Sequence, residues 1–213
     1  MFRKLVVTTA ALLVPMGLVV IAGADPAVAY GPAKATGIAN CHISSGTGTL
    51  SPGLTPSGSK GALKIAFTAS LTFPAGPCPN ASVNSPPGVT ILGGTVTGIG
   101  VYKAPAGGNA DTCANFDGPD ILRHLSVTVA WTTSGPPIAK TKIVFKGNPG
   151  TVSGAPTDTI TLDTPPALTA TKAGSFVTPS TLHTVQLITD IPGPGCGAGP
   201  YSTFNILGGV VTV

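Results

Sequence analysis

Residues 62–73 read ALKIAFTASLTF, and this stretch decides the fold class of the chain. One alternate set of its positions is entirely apolar: Leu63, Ile65, Phe67, Ala69, Leu71 and Phe73. Side chains of a β-strand point to opposite faces with a period of two, whereas the apolar positions of a helix recur every three or four residues. The stretch therefore predicts a strand with one buried face and one solvated face.

The same alternation recurs downstream and predicts a hairpin. Residues 125–133 and 139–145 alternate in this way, and the Ser-Gly-Pro-Pro sequence at 134–137 between them is typical of a turn. Further strands are predicted at 47–50, 89–102, 157–162, 167–172, 184–189 and 203–213. A short helix over 180–189 is an alternative, because Pro179 suits the first helical position. Many short strands indicate an all-β antiparallel sandwich or barrel, whose core we expect to contain Phe67, Phe73, Trp131 and Phe145.

Composition supports the all-β prediction. Only 8% of the residues are charged, Glu is absent, and 29 Gly and 22 Pro recur along the chain. Long helices have little to grow from in such a sequence, whereas its many Thr and Val residues suit a pleated surface. The basic residues are scattered, and nucleic-acid binding needs them clustered, so we expect no nucleic-acid partner. Lys140, Lys142 and Lys146 share one stretch, which fits a strand's solvated face or the protection of a sheet edge.

The N-terminus has the three parts of a secretory signal peptide. Arg3 and Lys4 precede an apolar run at 5–22, and small residues follow up to Ala27-Val28-Ala29. We therefore predict a signal peptide at 1–29 and a secreted or cell-envelope domain at 30–213, with no transmembrane segment after cleavage. An uncleaved anchor is the alternative, although Pro15 interrupts the apolar run.

A sequence echo links the two ends of the predicted domain. The sequence ILGGTVT at 91–97 recurs as ILGGVVT at 206–212. The echo indicates a weak internal duplication, with units at 45–100 and 157–213. A Gly-Gly pair inside a strand also predicts a β-bulge or a sharp bend in each copy.

Four cysteines in a secreted chain predict two disulfides, for which three pairings exist. If the ends are duplicated, Cys78 and Cys196 are equivalent and each pairs with the cysteine before it, which gives Cys41–Cys78 and Cys113–Cys196. The alternative pairing is Cys78–Cys113 with Cys41–Cys196. The spacing of the cysteines and histidines fits no zinc site.

The densest polar group of the sequence lies around Cys113. Its members, which form our candidate site, are Asp111, Asn115, Asp117, Asp120, Arg123 and His124. Clustered carboxylate and amide oxygens suit Ca²⁺, but the spacing is not that of an EF-hand. The simpler interpretation is a solvated loop in which Asp117 or Asp120 pairs with Arg123. No catalytic or cofactor-binding motif occurs in the chain, so no catalytic residue, metal or cofactor is predicted.

In its layout the chain resembles a group of secreted β-rich proteins of actinobacteria. The resemblance consists of a signal ending in A-x-A, Cys41 near the mature start, Gly46-Thr47 to Pro52-Gly53-Leu54, Thr/Val-rich strands and a central Trp131. It implies a secreted β-domain and assigns no activity. We expect a non-enzymatic module that binds or packs against envelope or host-surface components. The alternative is a secreted hydrolase whose site contains Asp117, Asp120 and His124.

Overall fold

The alternating segments of the sequence form strands in the computed structural model, which describes residues 31–72, 83–103, 108–113, 122–146, 150–153, 158–163, 170–177, 184–190 and 200–213. These residues belong to one compact unit, Gly31–Val213. Their strands are β1 (Thr36–Gly37), β2 (Asn40–Leu54), β3 (Ala62–Thr72), β4 (Val83–Asn84), β5 (Ile91–Lys103), β6 (Leu122–Thr133), β7 (Thr141–Lys146), β8 (Gly150–Ser153), β9 (Asp158–Asp163), β10 (Ala170–Ala173), β11 (Thr184–Thr189) and β12 (Tyr201–Thr212).

Ten of these strands form one antiparallel sheet that curls into a half-barrel. Its order is β10-β7-β6-β5-β3-β2-β12-β11-β9-β8, while β1 and β4 pair separately. The all-β antiparallel prediction is therefore confirmed, as is the hairpin between β6 and β7. The helical alternative over 180–189 is wrong for Thr184–Thr189, because this segment is β11 and pairs with both β9 and β12. Strand β2 is much longer than the predicted segment 47–50.

One face of the sheet, the core face, carries the hydrophobic interior. On β3 the five described positions of the predicted apolar set are all buried, at 0–4% exposure: Leu63, Ile65, Phe67, Ala69 and Leu71. Trp131 and Phe145 are also buried, as predicted, whereas Phe73 lies outside the described residues. The opposite face of the sheet, the outer face, carries the residues that alternate with them.

Glycines on β2 and β5 lie opposite phenylalanines on neighbouring strands. On the core face the register places Phe204, Gly48, Phe67 and Gly98 in one row across β12, β2, β3 and β5. A Cβ atom built on Gly48 would clash with the ring of Phe204, and one built on Gly98 would clash with the ring of Phe67. Each ring thus occupies the space that its neighbour's missing side chain leaves. Glycine at such positions also lets a sheet bend, which suits the curl observed here.

Both Gly-Gly pairs are preceded by a bulge. Leu92 is an extra residue in the pairing of β5 with β6, and Leu207 is an extra residue in the pairing of β12 with β11. Both leucines are turned outward, at 54% and 57% exposure. The trio β2, β3, β5 and the trio β9, β11, β12 follow each other across the sheet in the same order but in opposite strand directions. In the described strands, the predicted units 45–100 and 157–213 therefore have the bulge and the strand order in common, while their strand directions differ.

The segment before β2 is fastened to the other side of the sheet. Ala33 bridges to Ile138, and the Ala35 carbonyl accepts a hydrogen bond of 2.9 Å from the Phe176 N–H. The Ala35 N–H donates to the Ser175 hydroxyl at 3.1 Å. Strand β2 is separated from β7 by three strands, so this segment crosses one end of the half-barrel and covers part of its core.

Beneath that segment, two consecutive buried hydrogen bonds connect Trp131, Thr141 and Ser175. The indole N–H of Trp131 donates to the Thr141 hydroxyl at 2.9 Å, and this hydroxyl donates to the Ser175 carbonyl at 2.7 Å. The rings of Trp131 and Phe176 meet edge to face, with their centroids 4.9 Å apart. A buried hydroxyl and indole are tolerated in this core because each has its partner.

Candidate functional site

The predicted polar group is only partly within the described residues. Asp111 and His124 are described in full, Arg123 is described as a backbone position of β6, and Asn115, Asp117 and Asp120 lie outside the described residues. Asp111 is buried, at 2% exposure. Asp111 therefore does not belong to a solvated loop, which was the simpler interpretation of the sequence.

The carboxylate of Asp111 binds the loop between β2 and β3. Its Oδ1 accepts the N–H groups of Ser59 at 2.7 Å and of Lys60 at 2.8 Å, and its Oδ2 accepts the Ser59 hydroxyl at 3.3 Å. Burial alone would raise the pKa of the Asp111 carboxyl, but these hydrogen bonds prevail and leave the pKa below its ordinary value. Asp111 is thus an ionised structural group that connects two loops.

Main-chain hydrogen bonds complete this connection. Thr55 N–H donates to the Asp111 carbonyl at 2.9 Å, and Ala110 N–H donates to the Lys60 carbonyl at 2.6 Å. The Cys113 N–H donates to the Thr55 carbonyl at 3.3 Å. The segments 55–60 and 108–113 are therefore locked together at the end of the sheet where β2 finishes.

His124 lies on the outer face of β6. It is exposed, and its register neighbours are Val101 on β5 and Lys146 on β7. Within the described ranges no three His, Cys, Asp or Glu side chains are placed to hold a metal ion. Of the six residues of the predicted site, the structure thus assigns a role to Asp111 and a position to His124.

The outer face contains a row of threonines that the sequence did not reveal. Register places Thr47, Thr68, Thr97 and Thr128 side by side on β2, β3, β5 and β6. We call these four residues the threonine row. Neighbouring strands are about 4.8 Å apart, so the row extends over roughly 14 Å. Asn205 on β12 and Lys142 on β7 continue it at its two ends.

Three of these threonines border a shallow depression of about 340 Å³. Its lining residues include Thr47, Thr68 and Thr97, with the side chain of Ile99 beside them at 66% exposure. Hydroxyl groups can both donate and accept hydrogen bonds, and the rest of the lining, which includes Phe67 and Ile99, is largely apolar. The depression is suited to a ligand that combines hydroxyl groups with an apolar face.

Three lysines lie at the end of the outer face where the segments 55–60 and 108–113 are hydrogen-bonded to each other. Lys60 and Lys64 line a depression of about 480 Å³ together with Val101. Lys103 on β5 is paired with Ala62 on β3, which makes it a diagonal neighbour of Lys64. We call Lys60, Lys64 and Lys103 the lysine corner. The sequence did not predict this group, because Lys64 and Lys103 are far apart along the chain and become neighbours only when β3 pairs with β5.

Carboxylates are absent from the five strands that form this part of the sheet. The sequences of β2, β3, β5, β6 and β7 contain no Asp or Glu. In the described part of the chain, the lysine corner makes no ion pair. Lys142 is exposed on β7, and β7 lies between β6 and β10, so Lys142 belongs to a solvated face and not to a sheet edge.

Two of the four cysteines in the predicted disulfides lie within the described residues. Cys41 and Cys113 are buried at 0% and 2% exposure, and Cys78 and Cys196 lie outside the described residues. The pairing stays a prediction. The described segments contain no helix that is long and apolar enough to cross a membrane.

Comparison of the chain with protein families, with curated proteins and with solved structures gives no match.

Proposed function

We propose that this protein is a secreted β-domain that acts by binding, and that the outer face of its curled sheet contacts a component of the cell envelope. The observation that carries the proposal is the threonine row, four aligned threonines on a stretch of sheet without carboxylates. The signal peptide at 1–29, secretion and the two disulfides form part of the proposal. Its resemblance to secreted actinobacterial β-rich proteins agrees with that location.

Asp111, which is not among the residues of the hydrolase alternative, has a structural role and not a catalytic one. A hydrolase needs an acid or base whose proton is free to move toward a substrate. The Asp111 carboxylate instead accepts three hydrogen bonds from Ser59 and Lys60 and has a lowered pKa. This acidic residue of the predicted polar group holds the fold together.

The outer face has the character of a binding surface that is already formed. Its hydroxyl groups are mounted on paired strands, so their spacing is set by the backbone ladder and costs little ordering on binding. These hydroxyl groups would contact a ligand over a wide area. A surface of this kind suits a long, repetitive envelope polymer.

The proposal is tested by co-sedimentation of the purified secreted protein with insoluble envelope material. Thr68→Glu combined with Thr97→Glu places two carboxylates in the threonine row, where both side chains are exposed. We expect the double variant to bind at least about 10-fold more weakly, because two like-signed, strongly hydrated groups must then be desolvated. The control is Ser134→Glu, an exposed position in the β6–β7 turn, which should bind as the parent does.

Two results would overturn the proposal. The parent protein could fail to sediment with any envelope fraction, or the double variant could bind as well as the Ser134→Glu control. Release of soluble fragments from the same material, abolished by Asp120→Ala, would instead support the hydrolase that the sequence offered as the alternative.

A further inference from the structure

We infer that the ligand of the outer face is an acidic polysaccharide, built of sugar rings that carry carboxylate groups. This inference rests on the proposed function and names the class of ligand for the same surface. The threonine row would contact the sugar hydroxyl groups, and the lysine corner would hold the carboxylates.

The first support is the unbalanced charge of the lysine corner. Lys64 and Lys103 are diagonal neighbours on β3 and β5, a relation that places their Cα atoms about 7–8 Å apart. Both side chains are exposed, and neither has an acidic partner among the described residues. The nearby carboxylate of Asp111 is buried and faces the main chain of Ser59 and Lys60. Among the described residues, an anionic ligand would therefore meet cations that no carboxylate neutralises.

The second support is the order of side chains along the outer face of β5. Thr95 and Thr97 come first, Ile99 and Val101 follow, and Lys103 is last. A sugar acid presents the same three kinds of group, namely hydroxyls, the C–H face of the ring and a carboxylate. The distance from Thr97 to Lys103 along the strand is roughly 20 Å, so a ligand that reaches both must be a polymer.

Hydroxyl and apolar groups distinguish this ligand from other anions. A polyphosphate has no sugar hydroxyls for the threonine row and no ring face for Ile99. A second copy of this chain has no carboxylate in β2, β3, β5, β6 or β7 that could pair with the lysine corner if the two outer faces met. The acidic polysaccharide is the partner whose chemistry matches the whole strand.

The test is calorimetric titration of the intact secreted protein with polygalacturonate at low and at physiological salt. Neutral dextran and inorganic polyphosphate are the comparison ligands. Lys64→Gln combined with Lys103→Gln removes two charges, and Thr68→Val combined with Thr97→Val removes two hydroxyl groups while preserving branched side chains. Lys34→Gln, an exposed lysine of the segment before β2, is the matched control.

We expect polygalacturonate to bind more tightly than either comparison ligand. The lysine variant should lose at least about 10-fold in affinity at low salt and less at physiological salt, because screening weakens exposed charge pairs. The threonine variant should also lose several-fold in affinity, whereas Lys34→Gln should bind as the parent does.

The outcomes separate this inference from the proposed function. Binding to envelope material without binding to polygalacturonate would overturn the inference and leave the proposed function standing. Equal binding of polyphosphate and polygalacturonate, or a threonine variant that binds unchanged, would also overturn it, since charge alone would then explain the affinity. Absence of binding to any of these materials would overturn both.

Discussion

The contact between Gly98 and Phe67 makes a quantitative prediction about the core. A Cβ atom on Gly98 would lie less than 3.0 Å from three ring carbons of Phe67, a residue only 4% exposed. The ring would have to move by more than an ångström inside a packed interior, and overpacking of this kind costs about 1–3 kcal/mol. Loss of unfolded-chain freedom returns about 0.4–1 kcal/mol. We therefore expect Gly98→Ala to lower the free energy of unfolding by about 1–2 kcal/mol.

A double-mutant cycle shows whether the ring is the cause. Phe67→Leu removes the ring atoms that a Cβ atom on Gly98 would approach, and by itself it should cost about 1–2 kcal/mol as a large-to-small substitution. In the Phe67→Leu background Gly98→Ala should be neutral or stabilising. The coupling between the two changes is then about 1–2 kcal/mol, within the range measured for residues in contact.

Urea unfolding followed by the fluorescence of Trp131, the single tryptophan of the chain, measures all four proteins. Gly61→Ala is the matched control, because a Cβ atom there meets nothing within 4 Å. This variant should be as stable as the parent or slightly more so. Additive effects of Gly98→Ala and Phe67→Leu, within about 0.5 kcal/mol, would refute the reasoning.

Two further predictions concern Asp111, which connects the segments 55–60 and 108–113, and the cysteines. Asp111→Ala should cost about 3 kcal/mol, because two loop N–H groups lose a charged acceptor, and Asp111→Asn should cost less because it keeps an oxygen near both. Because the folded-state pKa of Asp111 is lowered, its stabilising effect should be complete above about pH 4 and decline as the pH falls through the folded value. Urea unfolding between pH 7 and pH 2 should show this decline in the parent relative to Asp111→Asn, and parallel curves would contradict it. Peptide mass spectrometry of the unreduced secreted protein should find a mature start at Tyr30 and the pairs Cys41–Cys78 and Cys113–Cys196. A chain that still begins at Met1, or that carries free thiols, would contradict secretion and the disulfides together.

Local patterns predicted what depends on one strand alone. The burial of Leu63, Ile65 and Phe67 follows from period two, which needs no knowledge of the neighbouring strands. The bulges next to the two Gly-Gly pairs were predicted for the same reason, because each prediction uses the sequence of one strand only. Strand β2 extends beyond the predicted segment 47–50 on both sides, past Gly46 and Pro52-Gly53, which have low strand propensity when read alone. In the structure the Phe204 ring fills the space over Gly48, so the missing side chain is supplied from another strand.

Features that depend on pairing could not be predicted from the sequence. The threonine row and the neighbouring positions of Lys64 and Lys103 exist because β3 lies between β2 and β5. Asp111 appeared to belong to a solvated polar loop, since its neighbours in sequence are polar. Its burial results from the N–H groups of Ser59 and Lys60, about fifty positions away, which give the carboxylate the partners that burial requires.

Strand register supports the favoured disulfide pairing by an argument independent of the sequence echo. Cys41 lies at the start of β2, and the Cys113 N–H donates a hydrogen bond to the carbonyl of Thr55, just beyond the end of β2. Roughly 40 Å of strand therefore separates the two cysteines. A disulfide requires Cα atoms within about 7 Å, which rules out Cys41–Cys113.

The same distances decide between the two remaining pairings. Cys78 follows Thr72 by six residues, and Thr72 pairs with His42 at the Cys41 end of the sheet. Cys196 precedes Pro200 by four residues, and the next residue, Tyr201, pairs with Leu54 at the Cys113 end. Extended chain covers at most about 3.6 Å per residue, so the six residues after Thr72 and the five before Tyr201 span about 22 and 18 Å at most, less than the roughly 40 Å along β2. If the two disulfides form, this reach favours the predicted pairs Cys41–Cys78 and Cys113–Cys196 over the alternative, and the pairing remains the prediction that mass spectrometry tests.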